Sequence, residues 1–525
     1  MDDDGTIVGI AASDLTESLD NLEGMCQAVG AKTVSVEKRR VSRRPELFAA
    51  EVCIRLESLG LPSTTQEPVL RRFPTVAFVG ETGGGKSTLI GVLTAGSEVG
   101  LDNGQGSVRL GMLRHRHELI SGQTSSVAVE FLPFDPVTNL PIHPDGDSFV
   151  EPVPLAMQKR LLSTHRVVQL LDLAGDPKYH KTTYSALTTW KAPDWICVVI
   201  PATAFTVDGN KAVELNAASH DILNLVLGLE IPFFLVMTKM DLTTTEASVL
   251  YSRYLLDRIV QLRKALLCLD LPSYALSLLQ VSSVSGVGLK NLANHFSRLR
   301  ARRNVRLNNF LLEEAFPGTK FLFCVQGSQM VPGVGLVLAG IVAYGALELA
   351  NGSGCADLVV LYTPISKATE AVPLILRSAH RMRLPVHSLY SGQMVTLAVE
   401  PLQTAESLPS PIEKGSILAF YGADPTAPPL IPYTSTVEAD VVANVNLDDP
   451  ETVLAAGDPI QGTLYWLGNR WPAQLVSIRE LYGEAKMRVR FQFTPHDTVL
   501  AIPGTRVIWV GPQFRVEGFI YLPKK

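Results

Sequence analysis

At 525 residues the chain is too long for one ordinary domain, and three or four are expected. With 46% hydrophobic and 18% charged residues, its composition suits well-buried cores and excludes broad disorder. A net charge of −5 excludes a general attraction to nucleic acid or anionic membrane, so any RNA contact has to come from local patches.

The start, Met1-Asp2-Asp3-Asp4, is acidic where a targeting peptide is basic or apolar. Cys26, Cys53, Cys197, Cys268, Cys324 and Cys355 form no C-x-x-C pair, which suggests structural thiols in a reducing compartment. A cytoplasmic protein is expected.

In chain order, residues 1–72 read as a small α/β unit. Thr6 to Ala12 is a candidate strand, and Ser13 can cap a helix carrying Leu15, Leu19, Leu22, Met25 and Cys26 on one face. Lys32 to Val41 alternates like a strand, Pro45 to Leu59 has helical spacing, and Gly60 to Pro68 reads as a linker. Residues 73–306 alternate apolar strands (Thr75–Val79, Val167–Leu171, Trp195–Ile200, Phe233–Met237, Leu278–Val281) with helical stretches such as Lys211–Leu229 and Ala247–Leu267. This pattern predicts an α/β fold with a mostly parallel sheet.

After about Glu314 short β-rich runs take over, including Leu358–Leu361, Met394–Val399, Val437–Val442, Met487–Phe493 and Val507–Val510. Two all-β modules are expected, residues 314–408 and 409–525. The uncharged stretch Phe321–Leu347 is long enough to cross a bilayer. Its repeated Gly, Pro332 and the polar Gln326–Gln329 favour strands and turns in a small barrel.

Four motifs carry chemistry. Gly80-Glu81-Thr82-Gly83-Gly84-Gly85-Lys86-Ser87-Thr88 matches G-x-x-x-x-G-K-S between a predicted strand and a predicted helix (Ser87–Thr94). In such a loop backbone N–H groups curl around phosphates, Lys86 meets the β- and γ-phosphates, and the Ser87 hydroxyl can ligate Mg²⁺. Gly122-Gln123-Thr124-Ser125-Ser126 offers Thr124 to Mg²⁺ and phosphate, after the basic stretch Arg114–His117. Asp172-Leu173-Ala174-Gly175 ends a strand, where Asp172 can hold Mg²⁺ through water and the Gly175 N–H can meet the γ-phosphate. Thr238-Lys239-Met240-Asp241 also ends a strand. The Asp241 carboxylate can accept from guanine N1–H and its 2-amino group, donors that adenine lacks, with the Lys239 stem across the base. Ser282-Ser283-Val284 would complete the base pocket. GTP with Mg²⁺ is the expected ligand, ahead of a P-loop ATPase with a coincidental T-K-M-D.

With those elements the chain resembles the translational GTPases, the superfamily of elongation factor Tu, and more closely the GTP-binding protein 1 and 2 group. The resemblance rests on Gly80–Leu93 (GETGGGKSTLIGVL), Leu101–Ser126, Asp172–Thr183 (DLAGDPKYHKTT), Thr238–Asp241 and Val331–Gly335. It implies a P-loop G domain followed by two β-barrels. It also implies a GTPase acting as a translation- or RNA-linked switch, with the ribosome, tRNA or another RNA–protein complex as partner; a monomer without membrane is expected. Two positions depart. Gly83 stands where the family loop usually has Asp. Asp176 stands where the family's D-x-x-G-H places the His that positions the attacking water.

Asp176 is thus the catalytic candidate beside Lys86, with His180 as a possible substitute. A carboxylate can take a water proton, but its charge is repelled by phosphate. The alternative is a GTP-dependent interaction protein with impaired hydrolysis. Basic runs at Lys38–Arg40, Arg43–Arg44 and Arg298–Arg306 fit RNA contacts or solvated faces.

Overall fold

Apolar runs rich in Val, Ile and Phe form a sheet buried on both faces when helices cover each side. In this chain they do so between residues 73 and 301. The computed structural model describes residues 10–28, 31–41, 44–56, 73–95, 100–108, 118, 124–135, 138, 140–142, 166–189, 193–207, 213–265, 277–301, 316, 318–349, 357–364, 372–381, 384–402, 412–421, 433–443, 459–482, 486–493, 498–500, 502, 504–512 and 514–521. The linker Gly60–Pro68, the stretch Arg114–His117, Gly122–Gln123 and Arg302–Arg306 lie outside the described residues.

The chain divides into Met1–Glu67 and Pro68–Lys525. The first unit has one helix, α1 (Ala12–Ala28), and an antiparallel hairpin of β1 (Ala31–Val41) and β2 (Arg44–Leu56). The helical expectation for Pro45–Leu59 is corrected: residues 44–56 are strand. Phe48, Ala50, Val52 and Ile54 alternate with period two, and pairing along β1 overrides the competing helical spacing.

In the second unit β3 (Thr75–Gly80) leads through the phosphate-loop motif into α2 (Lys86–Ala95). Then follow β4 (Ala128–Phe134), β5 (Arg166–Asp172), α3 (His180–Leu187), β6 (Trp195–Pro201) and a hairpin of β7 (Phe205–Val207) and β8 (Val213–Leu215). The domain closes with α4 (Ala217–Gly228), β9 (Phe233–Thr238), α5 (Thr245–Ala265), β10 (Leu278–Gln280) and α6 (Leu289–Arg298). The predicted helix Lys211–Leu229 therefore begins later than expected. Asn216 caps it by accepting from Ser219 N at 2.9 Å, and the residues before it pair as β8.

The sheet order is β10-β9-β6-β3-β5-β4. All its strands run parallel except β4, which pairs antiparallel with β5. Because β3, β5, β9 and β10 are parallel, the loops after them gather at one edge, where ligands bind in such sheets. The antiparallel β4 brings Ala128 opposite Asp172, so the segment carrying Thr124 reaches the same edge. Pro133 is tolerated in β4 because it is an edge strand.

Two closed barrels follow, each of six strands. In the first, Phe321–Val331, Ile417–Phe420, Asp357–Tyr362, Val372–Arg381, Met394–Pro401 and Gly335–Glu348 pair in turn, and the last returns to the first. The stretch Phe321–Leu347 is thus two barrel strands, and among the described residues no helix is long and apolar enough to cross a membrane. The second barrel closes Thr436–Ala443, Lys486–Phe493, Asn469–Tyr482, Ile460–Trp466, Arg506–Val510 and Arg515–Tyr521.

The second barrel is bolted to the nucleotide-fold domain. Val442, Tyr465 and Ile508 join the core packed on one face of its sheet. Arg515 donates to both carboxylate oxygens of Asp221 (2.7 and 3.0 Å) and to the Tyr184 hydroxyl (3.2 Å), and it pairs with the fully buried Glu517. Burial works against its charge, but Glu517, Tyr184 and Asp221 outweigh that and hold the guanidinium pKa above its usual range.

Candidate nucleotide site

The loop edge of the sheet opens into one cavity of about 420 Å³, within the range of small-ligand sites. Thr82, Gly83, Gly85, Lys86, Ser87 and Thr88 line one end, with Thr124, Gly175 and Asp176 facing them. Thr238, Lys239, Asp241, Ser283 and Val284 line the other end.

At the first end Lys86 is 6% exposed, and its ammonium donates to the carbonyls of Gly80 (2.8 Å) and Glu81 (2.9 Å). Gly175 lies so close that a Cβ there would strike that ammonium and the Gly80 carbonyl, so only glycine fits. Gly83 and Gly85 turn the loop at φ 72° and 92°, where a side chain is strained. Burial lowers the Lys86 pKa and raises that of Asp172, each shift opposed by the other's charge.

Asp172 sits behind the cavity wall. Its Oδ2 accepts from Ser87 Oγ (2.5 Å) and Thr124 Oγ1 (3.3 Å), and the two hydroxyls are 2.9 Å apart. Its Oδ1 is buried with no hydrogen-bond partner among the described residues. Two hydroxyls and a buried carboxylate with an unused oxygen form the hard-oxygen donor set that suits Mg²⁺. Glu118 steadies the Thr124 segment by accepting from the backbone N–H groups of Ser125 (2.7 Å) and Ser126 (3.2 Å).

Glu81 is turned out of the cavity. Its carboxylate accepts from Asn216 Nδ2 at 2.7 Å, so it braces the loop against the start of α4. The Asp176 carboxylate accepts from Lys178 N at 2.8 Å and caps the turn Pro177–Tyr179, the arrangement expected of Asp before an N1 proline. His180 does not line the cavity; its Nδ1 lies 3.3 Å from the Tyr184 hydroxyl. Burial and the nearby Arg515 lower its pKa.

At the other end the Thr238 hydroxyl donates to the Gly84 carbonyl at 2.6 Å, tying the two ends together. Lys239 adopts φ 59°, ψ 37°, a left-handed conformation that costs a non-glycine residue roughly 1 kcal/mol and marks a functional turn. Ser282 is buried; its hydroxyl donates to Asp241 Oδ1 at 2.5 Å and accepts from Val284 N and Ser285 N. Asp241 is exposed, with a carboxylate aimed by Ser282 before any ligand arrives.

One part of the wall was not anticipated in detail. Asp102, Gly104, Gln105 and Gly106 also line the cavity, and the Asp102 N–H donates to the Ser283 carbonyl at 2.9 Å. The run Asp-Asn-Gly-Gln-Gly carries a turn signal, but nothing local to it indicates what it faces.

Residues 71–313 match the Elongation factor Tu GTP binding domain. The chain is 28% identical to human GTP-binding protein 2 over 532 aligned residues, which covers 96% of the chain and 77% of that protein. Among solved structures it is similar to a bacterial selenocysteine-specific elongation factor, EF-Sec, with a TM-score of 0.52 and 14% identity. That match covers 86% of the chain and 59% of EF-Sec, so the chain spans about three fifths of that protein. The GTPase-like domain of S. cerevisiae Ski7, bound to GDP and inorganic phosphate, gives a TM-score of 0.58 and 13% identity over 87% of the chain and 98% of that domain. At such identities the structural likeness shows the fold alone: a G domain followed by two β-barrels. Residues 71–313 are thus similar to the GTP-binding domain of elongation factor Tu, and most of the chain is similar to GTP-binding protein 2.

Proposed function

We propose that this chain, with a G domain of the elongation factor Tu type, binds GTP with Mg²⁺ and acts as a slow GTPase switch on a ribosome- or RNA-linked complex. The observation that carries this reading is the single cavity with Lys86 buried at one end and Asp241 aimed by Ser282 at the other. In it the backbone of Gly80–Thr88 and Lys86 hold the triphosphate. Ser87, Thr124 and Asp172 hold Mg²⁺, which supplies charge neutralisation at the phosphates. Gly175 approaches the terminal phosphate, Asp241 and Lys239 read guanine, and Ser282, Ser283 and Val284 close the base pocket. The G domain is taken as residues 73–306, preceded by 1–72 and followed by two barrel domains; the boundary expected at 408/409 moves beyond Phe420, because Ile417–Phe420 pairs into the first barrel. Single-turnover GTP hydrolysis, with and without purified ribosomes, tests the reading; no stimulation by ribosomes would remove the translational link.

One observation favours a second reading, a GTP-dependent interaction protein with impaired hydrolysis. Asp176 stands at the family's water-positioning position, yet its carboxylate is engaged as a cap on Lys178 N. A carboxylate so held is a poor base beside phosphate, and His180 faces Tyr184. Asp176→His should raise the single-turnover rate about tenfold or more, short of the roughly 10²-fold at the low end of what a positioned acid–base group contributes. An unchanged rate would mean that position 176 does not limit hydrolysis.

A further inference from the structure

Gly104–Gly106 forms a second glycine-rich turn on the cavity, and at first sight it is another phosphate cradle. Its hydrogen bonds say otherwise. Asp102, 5% exposed, accepts at Oδ2 from Gly104 N (2.9 Å) and Gly106 N (3.0 Å). The Gln105 N–H is taken by Asn103 Oδ1 at 2.9 Å. The three backbone N–H donors of the turn are therefore consumed within it, and no backbone cradle is left for a phosphate. The groups it still offers are backbone carbonyls and the exposed Gln105 carboxamide, which makes no hydrogen bond among the described residues. The carbonyls accept, while the carboxamide both accepts and donates, a mixture that suits hydroxyls, which also do both.

The placement of the turn narrows the ligand group further. Its Asp102 N–H hangs on the Ser283 carbonyl, and a Cβ at Gly286 would touch Leu101, so the turn is fastened to the base-side loop. Gln105 and its neighbours line the same cavity as Lys86 and Asp241. A nucleotide spanning those two residues must pass its sugar between them.

We infer that the Gly104–Gly106 turn is the sugar-reading wall of the site, with Gln105 hydrogen-bonding the ribose hydroxyls and selecting ribonucleotides. This rests on the guanine-nucleotide reading of the cavity. Asp102 is a positioning residue: its carboxylate is engaged by the N–H groups of the turn, and its own N–H holds the turn against Ser283.

The test is calorimetric titration of the full chain with GTP, ATP and 2′,3′-dideoxy-GTP. The wild-type protein should bind GTP about tenfold more tightly than the dideoxy form, the value of one or two hydrogen bonds to the sugar. Gln105→Ala, an exposed substitution that leaves the fold alone, should weaken GTP several-fold and leave dideoxy-GTP unchanged, so that the preference collapses. A wild-type preference retained in Gln105→Ala overturns the inference, as does a wild type indifferent to the hydroxyls. The GTP-to-ATP ratio reports the base reading separately: equal affinities would defeat guanine recognition whatever the sugar ratio shows.

Discussion

The two ends of the cavity are built on opposite plans. At the end we propose for the phosphates, Lys86 and Asp172 are buried and the polar groups lean on one another: Lys86 on backbone carbonyls, and the half-buried Ser87 and Thr124 hydroxyls on Asp172. Burial disfavours the charge on both Lys86 and Asp172. At the end we propose for the base, Asp241 is exposed and its carboxylate is held by the Ser282 hydroxyl. The first plan gives strength, because buried charge meets an anion with little competition from water. The second gives identity, because a fixed acceptor rewards only the matching donors.

That division can be broken by mutation. The largest effect belongs to Lys86→Met, which should weaken GTP, GDP and xanthosine triphosphate alike by about a hundredfold, the value of lost charge-assisted bonds. A loss confined to one base would contradict the division. Asp241→Asn should reduce GTP affinity roughly thirtyfold and raise that for xanthosine triphosphate, since the amide reverses one donor–acceptor pair. A preference for GTP kept in competition binding would sink the base-reading assignment. The smallest change is Ser282→Ala, which frees Asp241 without removing it. The GTP-over-ATP preference should narrow about fivefold while the phosphate end is untouched, as equal losses for the two nucleotides would deny.

The sequence made the site legible where its signals are local. Gly80–Ser87, Asp172–Gly175 and Thr238–Asp241 each sit at the end of an apolar strand, and parallel pairing brings those ends to one edge. Asp176 before Pro177 is also local, a cap signal legible from two residues. What escaped depends on distant partners. Glu81 looks like a loop residue until Asn216 is placed beside it. The turn at Asp102 faces the cavity because Ser283 holds it there. Residues 44–56 carry both a helical and an alternating pattern, and pairing with β1 decides between them.

The seam at Arg515 sets how the molecule can move. Glu517 and Arg515 are shielded only while the Arg515–Tyr521 strand stays against α4 and Tyr184, and stranding either charge would cost several kcal/mol. A joint of this kind can glide but cannot gape. Tyr184 lies on α3, which follows directly on the turn capped by Asp176, so α3 connects the cavity wall to the second barrel. A displacement of the Asp176 turn would therefore load the Arg515 seam through Tyr184.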